Sequence, residues 1–298
     1  MCAGKRETAL CAFRGEEAEE YPLFPITMMY AADLIGKPYR EYATNAKVLA
    51  EGQQAMAERF GTSHTSVICD PCVESFDLGA QVHFYEDSPP ANVEENSLLT
   101  DKSRLATVKV VDPSRGERMS NRLEGVRLLA ERTGTERLVE GWVEGPCADI
   151  IGIGDAASSL IGPEVYREFI LPRTRKYTEA IHEAGTLVRL HICGRVEPLY
   201  PHIGELKIDL IDVDSMNPLP EAREYIGEGP VICANLDPVA EVKNGTPEAI
   251  QDRLARTTKE VQSKFAVGAG CEIPRGTPEE NLLAMRSFAE SKGATRSE

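Results

Sequence analysis

Thr186-Leu187-Val188-Arg189-Leu190-His191-Ile192-Cys193, closed by Gly194, is a short run rich in branched apolar residues and bounded by glycines, the pattern of a buried strand. Upstream, Gly162-Pro163-Glu164 places proline in the first turn of a helix, and Gly185 stands where that helix would end. A long helix running into a buried strand is half of a βαβ unit. The alternation extends outward in both directions. Strands are expected at 22–27, 66–70, 138–144, 186–193, 210–214, 231–237 and 265–270, with helices near 47–60, 118–133, 163–184, 247–263 and 278–290. Thr246-Pro247-Glu248 and Thr277-Pro278-Glu279 each combine a Thr N-cap with an acid at the positive helix end. Seven strands with flanking helices predict an α/β fold, a (β/α)8 TIM-type barrel with one strand unrecognised; an open doubly wound sheet is the alternative. Residues 1–298 read as a single barrel domain. The stretch 81–96, alternating and then broken by Ser88-Pro89-Pro90, reads as a hairpin or lid excursion.

Composition narrows the partners. Lys and Arg total 33 against 48 Asp and Glu, a net charge of −15, which argues against nucleic acid and anionic membranes. No run approaches the ~18 apolar residues of a membrane span, and the N-terminal residues lack a signal-like apolar region, so a cytoplasmic location is expected. The eight cysteines are scattered, unlike a secreted disulfide scaffold, and are expected as thiols or metal ligands.

Barrel enzymes carry their chemistry at the C-terminal ends of the strands. Asp70, Glu144, His191 with Cys193, Asp212 with Asp214, Asn235 with Asp237, and Cys271 all fall at such ends. Buried strands exclude unpaired polar side chains, so this coincidence points to an enzyme. Residues two apart share a face of a strand, which lets His191 and Cys193 point the same way. With Cys271 they offer one imidazole and two thiolates, a set suited to zinc, with a fourth position left open as in catalytic sites. Gly194 and Gly270 free the backbone beside them.

Other patterns compete. His191 would also serve as a hydrogen-bonded core histidine, with the cysteines as small buried apolar residues. Cys69-Asp70-Pro71-Cys72, with His64 nearby, has the form of a redox pair or half a structural zinc site. Cys233 would also serve in place of Cys271. Gly152-Ile153-Gly154-Asp155 imitates a dinucleotide-binding loop, but 150–153 reads as helical and the third glycine is missing. Serine-hydrolase and P-loop signatures are absent.

At the ligand residues the sequence resembles a known group. His191-x-Cys193 with the distant Cys271 is similar to the zinc motif of methylcobamide:coenzyme M methyltransferases and related corrinoid-protein methyltransferases, within the uroporphyrinogen decarboxylase-like superfamily. Ala234-Asn235-Leu236-Asp237-Pro238 and Gly270-Cys271-Glu272-Ile273-Pro274 also resemble segments of that superfamily, as does Glu144-Gly145-Pro146. Ordered matches run from about residue 8 to 290. The resemblance implies a zinc-dependent methyltransferase acting with a corrinoid carried by a separate protein, and either a methyl ether as donor (an O-demethylase type) or a thiol as acceptor. It implies metal ligation by His191, Cys193 and Cys271, cofactor contacts from Asn235 and Asp237, and proton handling or extra ligation by Glu144 and Asp70. The decarboxylases carry an arginine-rich N-terminal segment, whereas Phe24–Tyr30 here has no arginine, which disfavours a polycarboxylate substrate. A decarboxylase-type lyase and a non-catalytic metal-binding module of a methyl-transfer system are the alternatives.

Overall fold

A computed structural model describes residues 4–143 and 148–292. Seven parallel strands form one curled sheet in chain order: β1 (His64–Ser66), β2 (Leu138–Trp142), β3 (Ile150–Asp155), β4 (Leu187–Ile192), β5 (Leu210–Val213), β6 (Val231–Leu236) and β7 (Phe265–Ala269). The stretch expected as a strand at 22–27 takes the eighth position with a single bridge, Leu23 to Val267. The Phe24 amide donates to the Val267 carbonyl at 2.9 Å, and on the other side the Ser63 amide donates to the Leu23 carbonyl at 2.8 Å. This connector links the two sheet edges, so the architecture is a TIM-type barrel.

The helices lie close to their expected bounds: Ala46–Phe60, Glu117–Thr133, Pro247–Val261 and Glu279–Glu290. The long helix at 163–184 divides into Pro163–Val165, a π turn at Tyr166–Ile170, and Leu171–Glu183. Pro172 offers no N–H, and a π turn is one way a helix accommodates that defect. The excursion contains an antiparallel ribbon, Val82–His83 against Ala91–Asn92. Among the described residues no helix is long and apolar enough to cross a membrane. Cys11, expected as a thiol or ligand, is disulfide-bonded.

One element corrects the sequence reading. Residues 150–153, expected to be helical, belong to β3, paired with β2 and β4. An apolar run this short carries no period that separates helix from strand, and its β-branched isoleucines side with the strand. Gly152 and Gly154 are needed there because the Trp142 indole lies on them. A Cβ at Gly152 would sit 2.0 Å from the ring, and one at Gly154 2.9 Å from Nε1.

The link from β2 to β3, residues 143–149, is seven residues long. Parallel neighbours ordinarily need a crossover of a dozen or more, usually helical. Val143 leaves β2 with φ 63°, a left-handed conformation that strains a β-branched residue. Outside β3 lies an apolar hollow of about 200 Å³ lined by Val143, Ile151, Ile153, Tyr177 and Ile181.

Candidate metal centre

Alternation along the strands builds the barrel interior in layers. At the base, Leu138, Ile150, Leu210, Val231 and Ala266 pack with Phe24, and Ala9, Leu10 and Phe13 of the first helix (Lys5–Arg14) join them. One step up each strand the layer is polar. Arg189, fully buried, donates from Nε and Nη2 to the two oxygens of Asp212, both at 2.8 Å, and from Nη1 to Glu140 at 3.2 Å. Its Nη2 also reaches the Phe24 carbonyl at 3.2 Å. His64 lies 3.4 Å from Glu140. Burial, then the Arg189 charge, pushes the His64 pKa well below its usual value, so it stays neutral.

The next step up reaches the candidate ligands. His191 Nε2 lies 3.2 Å from Cys193 Sγ and 3.7 Å from Cys271 Sγ, and the sulfurs are 3.9 Å apart. A tetrahedral zinc ion would separate two sulfurs by roughly 3.8 Å and nitrogen from sulfur by roughly 3.6 Å, given usual bond lengths. The donors therefore fit a single ion with little adjustment. Among the described residues they form one compact group of metal-ligating side chains. Gly194, φ 86°, turns the chain directly after Cys193, and its amide donates to Asp214 at 2.8 Å. Gly270 is required by close approach rather than by its dihedral: a Cβ would meet the Ser215 amide at 2.5 Å.

The second imidazole nitrogen is already committed. His191 Nδ1 donates to Asp212 at 3.1 Å, which directs Nε2 towards the sulfurs. Burial opposes a charge on His191, but its bonds to Asp212 and Cys271 outweigh that and raise its pKa to about 9. Asp212 is buried too, yet Arg189 and His191 hold its carboxylate at about 2. The two thiols are in contact and act on each other. The hydrogen bond from Cys271 pulls the Cys193 pKa down, while the same contact, followed by burial, pushes Cys271 up.

These groups open into a cavity of about 460 Å³ lined on one side by Ile26, Met28, Ile68, Trp142 and Ile153. Asp70, Glu74, Asp155 and Glu272 supply its acidic groups, and no Arg or Lys is among its described lining residues. Burial lifts Glu272 to about 7, although the Met29 amide donates to it at 2.9 Å.

The remaining sequence candidates are distributed as follows. Asp70 lines this cavity with both oxygens engaged by Arg118, at 2.9 and 2.7 Å. Asn235 accepts from Arg253 at 2.8 Å and Asp237 caps the turn at 238–243; neither lines the cavity. Glu144 lies outside the described residues. Cys69 and Cys72 are buried, their sulfurs near Asp70 at 3.0 Å and the Pro90 carbonyl at 3.4 Å. Cys233 is buried near the Phe24 carbonyl, one layer below. Sequence reasoning missed Arg189, Glu140 and the cavity residues Trp142 and Glu272. Arg189 carried a usable signal, since it stands two residues before His191 on the same face.

The model of the uroporphyrinogen decarboxylase (URO-D) family matches residues 4–148 and 147–291. A methylated-thiol–coenzyme M methyltransferase of Methanosarcina mazei is 38% identical over 139 residues, 46% of this chain and 36% of that protein. The methylcobamide:CoM methyltransferase MtbA of Methanosarcina acetivorans is 35% identical over 149 residues, 48% and 42% of the two chains. A uroporphyrinogen decarboxylase of Nocardia farcinica is 30% identical over 125 residues, 42% and 34%. The matched part thus spans 34% to 42% of these relatives' lengths. The structure of a methyltransferase from Methanosarcina mazei superposes with a TM-score of 0.81 at 18% identity, covering 97% of this chain and 98% of that one. With the family model matched along nearly its whole length, the chain belongs to the uroporphyrinogen decarboxylase (URO-D) family.

Proposed function

We propose that this protein is a corrinoid-linked methyltransferase that moves a methyl group between a corrinoid on a separate protein and a small substrate, with zinc held by His191, Cys193 and Cys271. The observation that carries this reading is the convergence of one imidazole nitrogen and two sulfurs within 4.8 Å at the floor of an open cavity. Relatives named as methylcobamide:CoM and methylated-thiol–coenzyme M methyltransferases support it. When bound, zinc with such ligands supplies a Lewis acid, suited to holding a substrate thiol as thiolate or to polarising an ether oxygen.

The chain's own residues do the rest. Asp212 fixes the imidazole tautomer and Arg189 fixes Asp212, so Nε2 is aimed before any ligand arrives. Trp142, Ile26, Met28 and Ile153 offer an apolar wall for a methyl-bearing group and keep water from it. Glu272, next to Cys271 and in the cavity lining, is placed to take the proton of an incoming thiol or return one to a leaving oxygen. Asp70, bound to Arg118, serves in this scheme as the anchor of one wall. The cofactor contacts expected of Asn235 and Asp237 and a proton-handling role for Glu144 are retained. The absence of Arg and Lys from the described lining weighs against a polycarboxylate and hence against the decarboxylase reading.

The test is metal content together with methyl transfer. Purified protein should hold about one equivalent of zinc and should methylate thiols from methylcobalamin, or methylate cob(I)alamin from methyl ethers, as followed in the visible spectrum. Protein that cannot be loaded with zinc at these three residues would end the proposal. Loaded protein without transfer to or from any member of a broad panel would leave only the non-catalytic metal-binding reading.

A further inference from the structure

The cavity's charge also bears on the substrate, an inference that rests on the methyl-transfer reading above. Its described lining holds four carboxyl groups, from Asp70, Glu74, Asp155 and Glu272, and no Arg or Lys, its one basic side chain being the His191 imidazole at the floor. The arginines that come close are engaged elsewhere. Arg118 spans both oxygens of Asp70, and Arg189 is locked to Asp212 and Glu140 beneath the floor. Arg275 is paired with Asp33 and donates to the Asp87 carbonyl at 2.8 Å. Two aromatic rings, Trp142 and Tyr177, stand in the same wall, and an aromatic face attracts a cation. A sulfonate or carboxylate tail entering this space would meet the carboxyl groups of Glu74 and Asp155 and no Arg or Lys to pair with.

We propose that the site selects small thiols and methyl thioethers whose tails are cationic or uncharged, and rejects those with anionic tails. Glu74 and Asp155 are the groups that favour the cation, and the cost to an anion is general to the wall. In transfer to a thiol, the S–H bond is lost with its proton released. A new S–CH3 bond then forms as the methyl–cobalt bond breaks, leaving its electron pair on cobalt.

The experiment uses zinc-loaded protein and four thiols of one length: 2-aminoethanethiol, 2-mercaptoethanol, 3-mercaptopropionate and 2-mercaptoethanesulfonate. Binding is read by calorimetry without any methyl donor, and kcat/KM is read with methylcobalamin. The aminothiol and the alcohol should exceed both anions by about tenfold or more in each measurement. Glu74→Gln should cut the advantage of the aminothiol over the alcohol severalfold. Equal or tighter binding of either anion overturns the proposal. The two readings fail separately. The charge order in binding with no methylation of any thiol removes the methyl-transfer reading and keeps the selectivity. Methylation that favours the sulfonate does the reverse.

Discussion

Two pairs of cysteines sit beyond strands of the same barrel, and they have opposite fates. Cys69 and Cys72 are three residues apart in a motif that suggests a shared role, yet one sulfur rests beside Asp70 and the other beside a carbonyl. Cys193 and Cys271 are 78 residues apart and their sulfurs meet at 3.9 Å. Position on the barrel decides the matter, not closeness in the chain. At the first pair the local charge is already neutralised, because Arg118 and Asp70 satisfy each other in a buried bidentate pair. At the second pair a histidine with one nitrogen committed leaves its other facing both sulfurs. A metal needs donors with unused capacity, and only the second pair has them.

Removing either distant cysteine should therefore have the largest effect. Cys193→Ala or Cys271→Ala should lower zinc from about one equivalent to under a tenth after desalting, measured by atomic emission. Arg118→Ala strikes the other site. It leaves Asp70 buried without its counter-charge, should cost about 3–5 kcal/mol in denaturant unfolding, and should leave the zinc content of the folded fraction intact. Asp212→Asn, by loosening the imidazole, should weaken zinc about 10–100-fold in a chelator competition.

The two buried histidines sharpen the contrast through pH. His64 is neutral in the fold, its pKa held below the unfolded value. The stability this gives is present above pH ~6.5 and is lost as pH falls below it, by up to about 1.4 kcal/mol per pH unit. Glu140, raised by burial, acts in the opposite sense. The check is accordingly the difference in unfolding free energy between wild type and His64→Gln, which should hold above pH 7, narrow as pH falls from 7 to 6 and reverse sign below that range. The smallest effect belongs to the short motif. Cys69→Ala with Cys72→Ala should keep the full zinc complement and lower stability by about 1–2 kcal/mol.

The sequence made the succession of strands and the candidate ligands His191 and Cys193 legible because alternation and strand-end position are local properties. His191 and Cys193 share a face by strand geometry alone. The convergence of Cys271 rested on the resemblance, since no local rule fixes a distance across 78 residues. β3 was missed because Ile150 to Ile153 is too short to show a period, and its glycines looked like a loop when they make room for an indole. The Arg189 network stayed hidden for another reason. A buried arginine is recognised by its partners, and Asp212 and Glu140 come from strands on either side of it. Asp70 was visible as a polar strand end, but β1 ends at Ser66, and nothing nearby in sequence announced Arg118.

The apolar hollow beside β3 gives the molecule one loosely packed wall. Every segment of a cooperative fold opens at a free energy set by the apolar surface it must expose, and β3 borders that hollow through Ile151 and Ile153. Amide exchange should therefore find Ile151 and Ile153 before the matching residues of β5 and β6. Because Gly152 and Gly154 of that strand support Trp142, a brief breach there loosens one wall of the cavity while His191, Cys193 and Cys271 stay in place. The molecule can breathe on one side of the cavity without disturbing the three side chains at its floor.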